Sequence, residues 1–211
     1  MPPRLRRYNQ VVASDAKPAG LKVLTIGHSN HTLEHFLELL RLHAVQAIAD
    51  VRSSPYSKYA SQFDYEPLMK SLREAGFQYV YLGAELGGRP RGEAYYDPDG
   101  RVRYDKVAES APFQEGLARL KKGMGSQVVA VLCAEEDPCG CHRRLLITRV
   151  LVEHGVAVSH IRGDGRMQTE EELRAAEAGD QLSLFDEMET DPWKSIPSVS
   201  PKKRQNSSSV F

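Results

Sequence analysis

The segment from Val128 to Arg144, VVAVLCAEEDPCGCHRR, holds most of the side chains in this chain that could do chemistry. All three cysteines fall there within nine positions, together with Glu135, Glu136, His142, Arg143 and Arg144. Cysteine supplies a thiolate that attacks electrophiles or ligates soft metals, and glutamate a base or nucleophile. Cys133 and Glu135 are two apart after an apolar run, so an extended backbone would point both the same way. Cys141, His142 and Arg143 would open a helix, where free N–H groups and the dipole favour anions and thiolates. Four readings stay open on these residues alone. Cys141 or Cys133 is a nucleophile with His142 or His28 as base; Glu135 is base or nucleophile at a sugar or phosphate centre; Cys133, Cys141 and His142 take a metal; or Cys133 is a core thiol beside ion-paired arginines. No metal or other cofactor is assigned at this stage. The spacing Cys139-Gly-Cys141-His142 is tighter than a usual zinc half-site, although a metal at Cys133, Cys141 and His142 is not excluded.

Something must position these groups. Val128–Leu132 is β-branched and unbroken, the pattern of a strand buried on both faces. Leu145, Leu146, Val150 and Leu151 recur at helical spacing between Cys141 and His154. Upstream, Leu21–Ile26, Val45–Val51 and Phe77–Leu82 read as strands and Val156–Ile161 as a fifth. Between them lie a helix capped by Thr32 and carrying Phe36, Leu37 and Leu40, one from Tyr65 to Ala75 closed by Gly76, and one entered through Pro112. The alternation predicts an α/β fold: a Rossmann-like parallel sheet of about five strands with helices on both faces. In such a sheet the C-terminal strand ends share one edge. His28, Asp50, Arg52, Glu85 and the cysteine turn all follow strand ends, so they should converge. Gly83–Asp105 is a long polar connection, which favours a functional loop. Within it Gly87, Gly88 and Arg89 could wrap a phosphate, with Arg52 and Arg143 as further phosphate holders.

Composition bounds the rest. The chain has 211 residues, 41% of them hydrophobic, and 28 basic against 28 acidic residues. One domain is the simplest division: a disordered lead-in over 1–19, an α/β domain over 20–178 and a flexible tail over 179–211. No apolar run reaches about 18 residues, and no apolar segment follows the basic N-terminus, so neither a membrane span nor a secretory leader is expected. Three clustered cysteines suit a reducing cytoplasm better than a disulfide scaffold.

Several ordered segments carry a resemblance: Thr25-Ile26-Gly27-His28-Ser29, Asp50-Val51-Arg52 with Pro55 and Ser57, Tyr81-Leu82-Gly83 with Leu86-Gly87-Gly88, and Leu132-Cys133-Ala134-Glu135 with Cys141-His142-Arg143. Over roughly Lys22 to Arg162 the chain resembles the prokaryotic "domain of unknown function 488" family, which implies an α/β fold but no settled reaction. Cys139 departs from that pattern.

Downstream, Gln181-Leu182-Ser183-Leu184-Phe185 resembles the pentapeptide by which bacterial polymerases and repair proteins bind the replicative sliding clamp. Such a peptide fills apolar pockets with Leu184 and Phe185 while Gln181 makes a polar contact. The combined expectation is a cytoplasmic, nucleoid-associated enzyme of DNA repair or nucleic-acid modification. Its partners would be the clamp and DNA, and its reaction the hydrolysis of a damaged base's glycosidic bond. The catalytic set would be Glu135, Cys141, His142, Cys133, His28 and Asp50. The alternatives are a non-catalytic, phosphate-binding adaptor on the clamp and a thiol- or metal-dependent small-molecule enzyme.

Overall fold

A computed structural model describes residues 20–181 and 193–196, without the side chains of 179–181. The expected lead-in and the peptide residues Leu182–Phe185 lie outside the described residues.

Apolar runs and capped amphipathic segments alternate as the pattern requires. In chain order they form β1 (Lys22–Gly27), α1 (Leu33–Leu42), β2 (Ala47–Asp50), α2 (Tyr65–Glu74), β3 (Gln78–Tyr81), α3 (Gly83–Leu86), α4 (Tyr104–Ala108), α5 (Ala111–Met124), β4 (Val129–Cys133), α6 (Arg149–Glu153), β5 (Ala157–Ile161), β6 (Met167–Thr169) and α7 (Glu170–Gln181). Thr32 caps α1 by accepting from the His35 amide, and Ser110 caps α5 ahead of Pro112.

The sheet runs β3-β2-β4-β1-β5-β6, with the first five strands parallel and β6 antiparallel to β5. Alternate residues feed two apolar layers. Ala47, Ala49, Val129 and Val131 pack under α3 to α6, while Ile26, Ile48, Ala130 and Leu132 pack under α1 and α2. Both faces are thus covered, which is why the central strands carry no polar alternation. All five expected strands are present; the sixth is short, half-polar and adds to an edge.

Three features refine these expectations. The long polar Gly83–Asp105 connection holds α3, a 3₁₀ turn at Glu93–Tyr95 and a bridge between Tyr96 and Val102. The helix after β4 opens as a π-helix over Arg143–Thr148 before α6. Third, order does not end at 178. Helix α7 runs to Gln181, and Trp193–Ile196 returns to the domain. There Ser195 exchanges hydrogen bonds with Val102 and the Arg149 guanidinium lies 3.9 Å over the Trp193 ring. Buried tertiary contacts overrode a polar local composition. Among the described residues no helix is long and apolar enough to cross a membrane.

Candidate functional site

The strand order places β4 between β1 and β2, so the turn after β4 is flanked by the loops that leave both neighbours. Register brings Cys133 opposite Gly27, and the ladder continues past the strands through His28 N–H to Cys133 O (3.1 Å) and Ser29 N–H to Ala134 O (2.8 Å). This close approach demands glycine at 27. A β-carbon there would lie 1.7 Å from Glu135 O and 2.8 Å from an Arg143 nitrogen.

Four groups meet in the turn. Glu135 Oε2 accepts from Cys133 Sγ at 2.9 Å and from Cys141 Sγ at 3.2 Å. His142 Nδ1 lies 3.4 Å from Cys133 Sγ and 4.0 Å from Cys141 Sγ. On its far side His142 Nε2 donates to Val51 O at 3.1 Å, which leaves Nδ1 as the lone-pair nitrogen facing the thiols. Gly88 packs flat on that ring, where a β-carbon would meet Cγ at 2.6 Å. Cys133, Cys141 and His142 are buried, while Glu135 remains solvent-accessible and turns one oxygen inward.

Environment sets the charges. Burial works against Cys133 ionising, but hydrogen bonding from Cys141 and the adjacent His142 ring outweigh it and pull the thiol down to about 6. Burial and the Cys133 sulfur push Cys141 well up, so Cys141 keeps its proton and donates. Desolvation disfavours an imidazolium at His142, yet the neighbouring Cys133 sulfur raises its pKa overall. Glu135 is likewise partly desolvated, and the two thiol donors hold it below the usual carboxylate value.

The other expected site residues are placed differently. His28 is buried and stacked on Phe63 at 4.5 Å between ring centres. Its Nδ1 lies 2.8 Å from Ser29 O and its Nε2 3.2 Å from an Arg52 nitrogen. Burial, then Arg52, depress its pKa to about 4. His28 is therefore a neutral structural group with both nitrogens engaged, and the role of base to a thiol does not fit it. Asp50 accepts from Arg52 at 2.6 Å and from the Tyr79 hydroxyl at 2.8 Å, and Arg52 also donates to Phe63 O. These buried partners hold the backbone around Val51, whose carbonyl orients His142, so Asp50 and Arg52 act as positioning residues.

Of the three expected phosphate-holding arginines, Arg52 and Arg143 are buried and Arg89 is exposed. Arg52 is committed to Asp50, while Arg143 is completely buried with its guanidinium donating to Glu135 O and Glu136 O. Desolvating an arginine requires acceptors on the spot, and here the backbone of the turn supplies them. Gly87 packs against Gly83 O and Ser53, and the Arg89 amide donates to Ser53 Oγ at 2.9 Å, so that amide is engaged within the protein. The Arg89 guanidinium acts electrostatically on both Tyr96 and Tyr104. Cys139 stands apart, its thiol pushed up to about 11 by burial and Asp137.

Two contributors had no sequence signal. Tyr104 is fully buried and, among the described residues, its hydroxyl has no hydrogen-bond partner. Burial raises its pKa first, and after burial Cys141, Cys133 and Glu135 raise it further while Arg89 lowers it. The second is the π-helix that follows His142, an arrangement found often at functional sites. A buried network also ties α7 to this helix: Glu170 accepts from Arg144 at 3.0 Å, from Arg174 at 2.9 Å and from His160 at 3.0 Å, while Arg144 also pairs with Glu177.

No curated protein and no solved structure matches the chain. A family model does match, over residues 32–150, more than half of the chain and including Asp50, Arg52, Gly88, Tyr104 and the whole Cys133–Arg143 turn but not His28. The chain belongs to the family described as Domain of unknown function DUF488.

Proposed function

We propose that this protein is a hydrolytic enzyme acting on DNA, which removes a damaged base by cleaving its glycosidic bond while held near its substrate by the sliding clamp. The observation that carries the chemistry is the convergence of Glu135, Cys133, Cys141 and His142 at the C-terminal edge of the sheet. A carboxylate fixed at such an edge can orient water or stabilise the oxocarbenium character that develops at a sugar carbon. The delivery half rests on Gln181–Phe185, which begins at the last residue of α7. Tethering to a clamp supplies a high local concentration of DNA, so a net charge of zero is no obstacle. A cytoplasmic, nucleoid-associated location goes with this reading.

The test is to incubate the full chain at stoichiometric concentration with duplexes carrying uracil, oxidised bases or alkylated bases. The expected result is an abasic product from at least one duplex, lost in Glu135→Gln. Absence of base release across the panel from folded protein refutes the glycosylase assignment. Titration against purified clamp tests the delivery half, with binding expected for the native chain and abolished in a Leu184→Ala/Phe185→Ala variant.

The adaptor reading has less support, because Arg52 and Arg143, two of the three arginines that would hold its phosphate, are bonded to protein acceptors, which leaves the exposed Arg89. A thiol enzyme is the second reading, favoured by Cys133 lying 3.4 Å from His142 Nδ1. It predicts that one equivalent of iodoacetamide at Cys133 abolishes turnover while Glu135→Gln retains it, the reverse of the pattern expected for a carboxylate mechanism.

A further inference from the structure

The turn after β4 gathers three donors suited to a single ion. Among the described residues, Cys133 Sγ, Cys141 Sγ and a His142 ring nitrogen all lie within 4.8 Å of one another. Around a tetrahedral zinc, with Zn–S near 2.3 Å and Zn–N near 2.0 Å, neighbouring donor atoms stand roughly 3.5–3.8 Å apart. The observed His142 Nδ1 separations of 3.4 and 4.0 Å from the two sulfurs bracket that range. His142 is also prepared in the way metal-binding histidines are, its other nitrogen anchored on a backbone carbonyl, that of Val51. All three residues are buried, and Cys133 is fixed by strand pairing to Gly27.

We infer that Cys133, Cys141 and His142 hold a zinc ion, with its fourth position open on the side of Glu135 and Tyr104. Three protein ligands and one open position is the arrangement of catalytic rather than structural zinc. Binding converts both thiols to thiolates and releases their protons. With both sulfurs ligated as thiolates neither can donate to Glu135 Oε2, which is then available to take a proton from water on the metal. Tyr104 supplies an independent observation. Among the described residues its buried hydroxyl has no partner, and Cys141, Cys133 and Glu135 act on it electrostatically, so a metal-bound water is the kind of partner it would take. Hydroxide on the zinc would attack the sugar's anomeric carbon, forming C1′–O as the C1′–N bond breaks, with the electron pair leaving on the base, which takes up the proton that Glu135 removed from the water. The use of the metal in turnover rests on the function proposed above; the binding of the metal does not.

The experiment is elemental analysis of the full chain, purified under reducing conditions without chelator or polyhistidine tag. It is followed by cobalt(II) replacement and competition against a chromogenic chelator. The expected result is zinc at about one per chain, thiolate-to-cobalt charge-transfer absorption, and affinity that rises with pH as protons are released. Cys133→Ser and Cys141→Ser should lower affinity by more than the roughly 10–100-fold cost of a change behind the ligands. Cys139→Ser and Glu135→Gln should keep the metal. Native protein that is folded and reduced, yet neither contains zinc nor takes up zinc or cobalt, overturns the site. Zinc retained at unchanged affinity in both Cys133→Ser and Cys141→Ser overturns the ligand assignment. Bound zinc without base release would leave the metal site standing and refute the glycosylase instead, whereas base release that survives metal removal would refute the catalytic role of zinc.

Discussion

Glu170→Gln is the perturbation that most directly tests how α7 is held against the domain. Glu170 is buried and bonded to Arg144, Arg174 and His160. Burial alone would raise its pKa, but these partners hold it at about 2 against an ordinary 4.5. A depressed carboxylate contributes stability that is fully present above its unfolded pKa and is lost as pH falls through the folded one. At about 1.36 kcal/mol per unit, the shift is worth at most about 3 kcal/mol at pH 7. By pH 3 the unfolded chain is already protonated at this site, and only about 1.4 kcal/mol remains. Removing the charge strands no buried cation outright, because Arg144 keeps Glu177. His160 works in the same direction, since burial holds its ring below 6.5 and protonation disfavours the folded state. Urea denaturation of native protein and Glu170→Gln, followed by circular dichroism from pH 7 to pH 3, reads the difference. It should be largest near pH 7, equivalent to a melting shift of roughly 6–12 °C, and shrink by about half at pH 3. A difference that stays flat across this range, or is absent at pH 7, refutes the reasoning.

Three further outcomes are expected. Gly88→Ala should force the His142 ring from its place, because the new β-carbon would lie 2.6 Å from it; chelator competition should show zinc affinity lower by roughly 10–100-fold in a folded protein. Tyr104→Phe removes an unpartnered buried hydroxyl, so calorimetry should show stability unchanged or higher by about 1 kcal/mol, while base release slows roughly 100-fold. Unaltered base release in that variant would make Tyr104 a core residue only. Trp193→Ala deletes the ring beneath Arg149 and should cost about 2–3 kcal/mol in denaturant and speed protease cleavage after α7; no change in either would mean that Trp193–Ile196 does not dock.

The sequence by itself determined the layers and the edge where the site lies. Unbroken runs such as Val129–Leu132 have to be buried on both faces, and capped amphipathic helices between them make the sheet parallel. That arrangement carries Cys133, Glu135, Cys141 and His142 to one edge. Short-range spacing was enough for this cluster because its members lie within ten positions of one another.

Tertiary structure decided what each neighbour does. His28, Asp50, Arg52 and Arg143 are residue types equally suited to catalysis or to internal pairing, and the choice depends on which acceptors lie within about 3 Å. Here Asp50, Phe63 O, Glu135 O and Glu136 O claim both arginines, and Arg52 and Ser29 O engage His28. Tyr104 opens the short helix α4 after a polar stretch whose sequence has no period to betray it. Trp193–Ile196 docks on distant parts of the chain, through Val102, Arg103 and Arg149. Periodicity records which face of an element is buried; it carries no information about the distant backbone carbonyl, such as that of Val51, that fixes one ring nitrogen of His142 and turns the other toward two thiols.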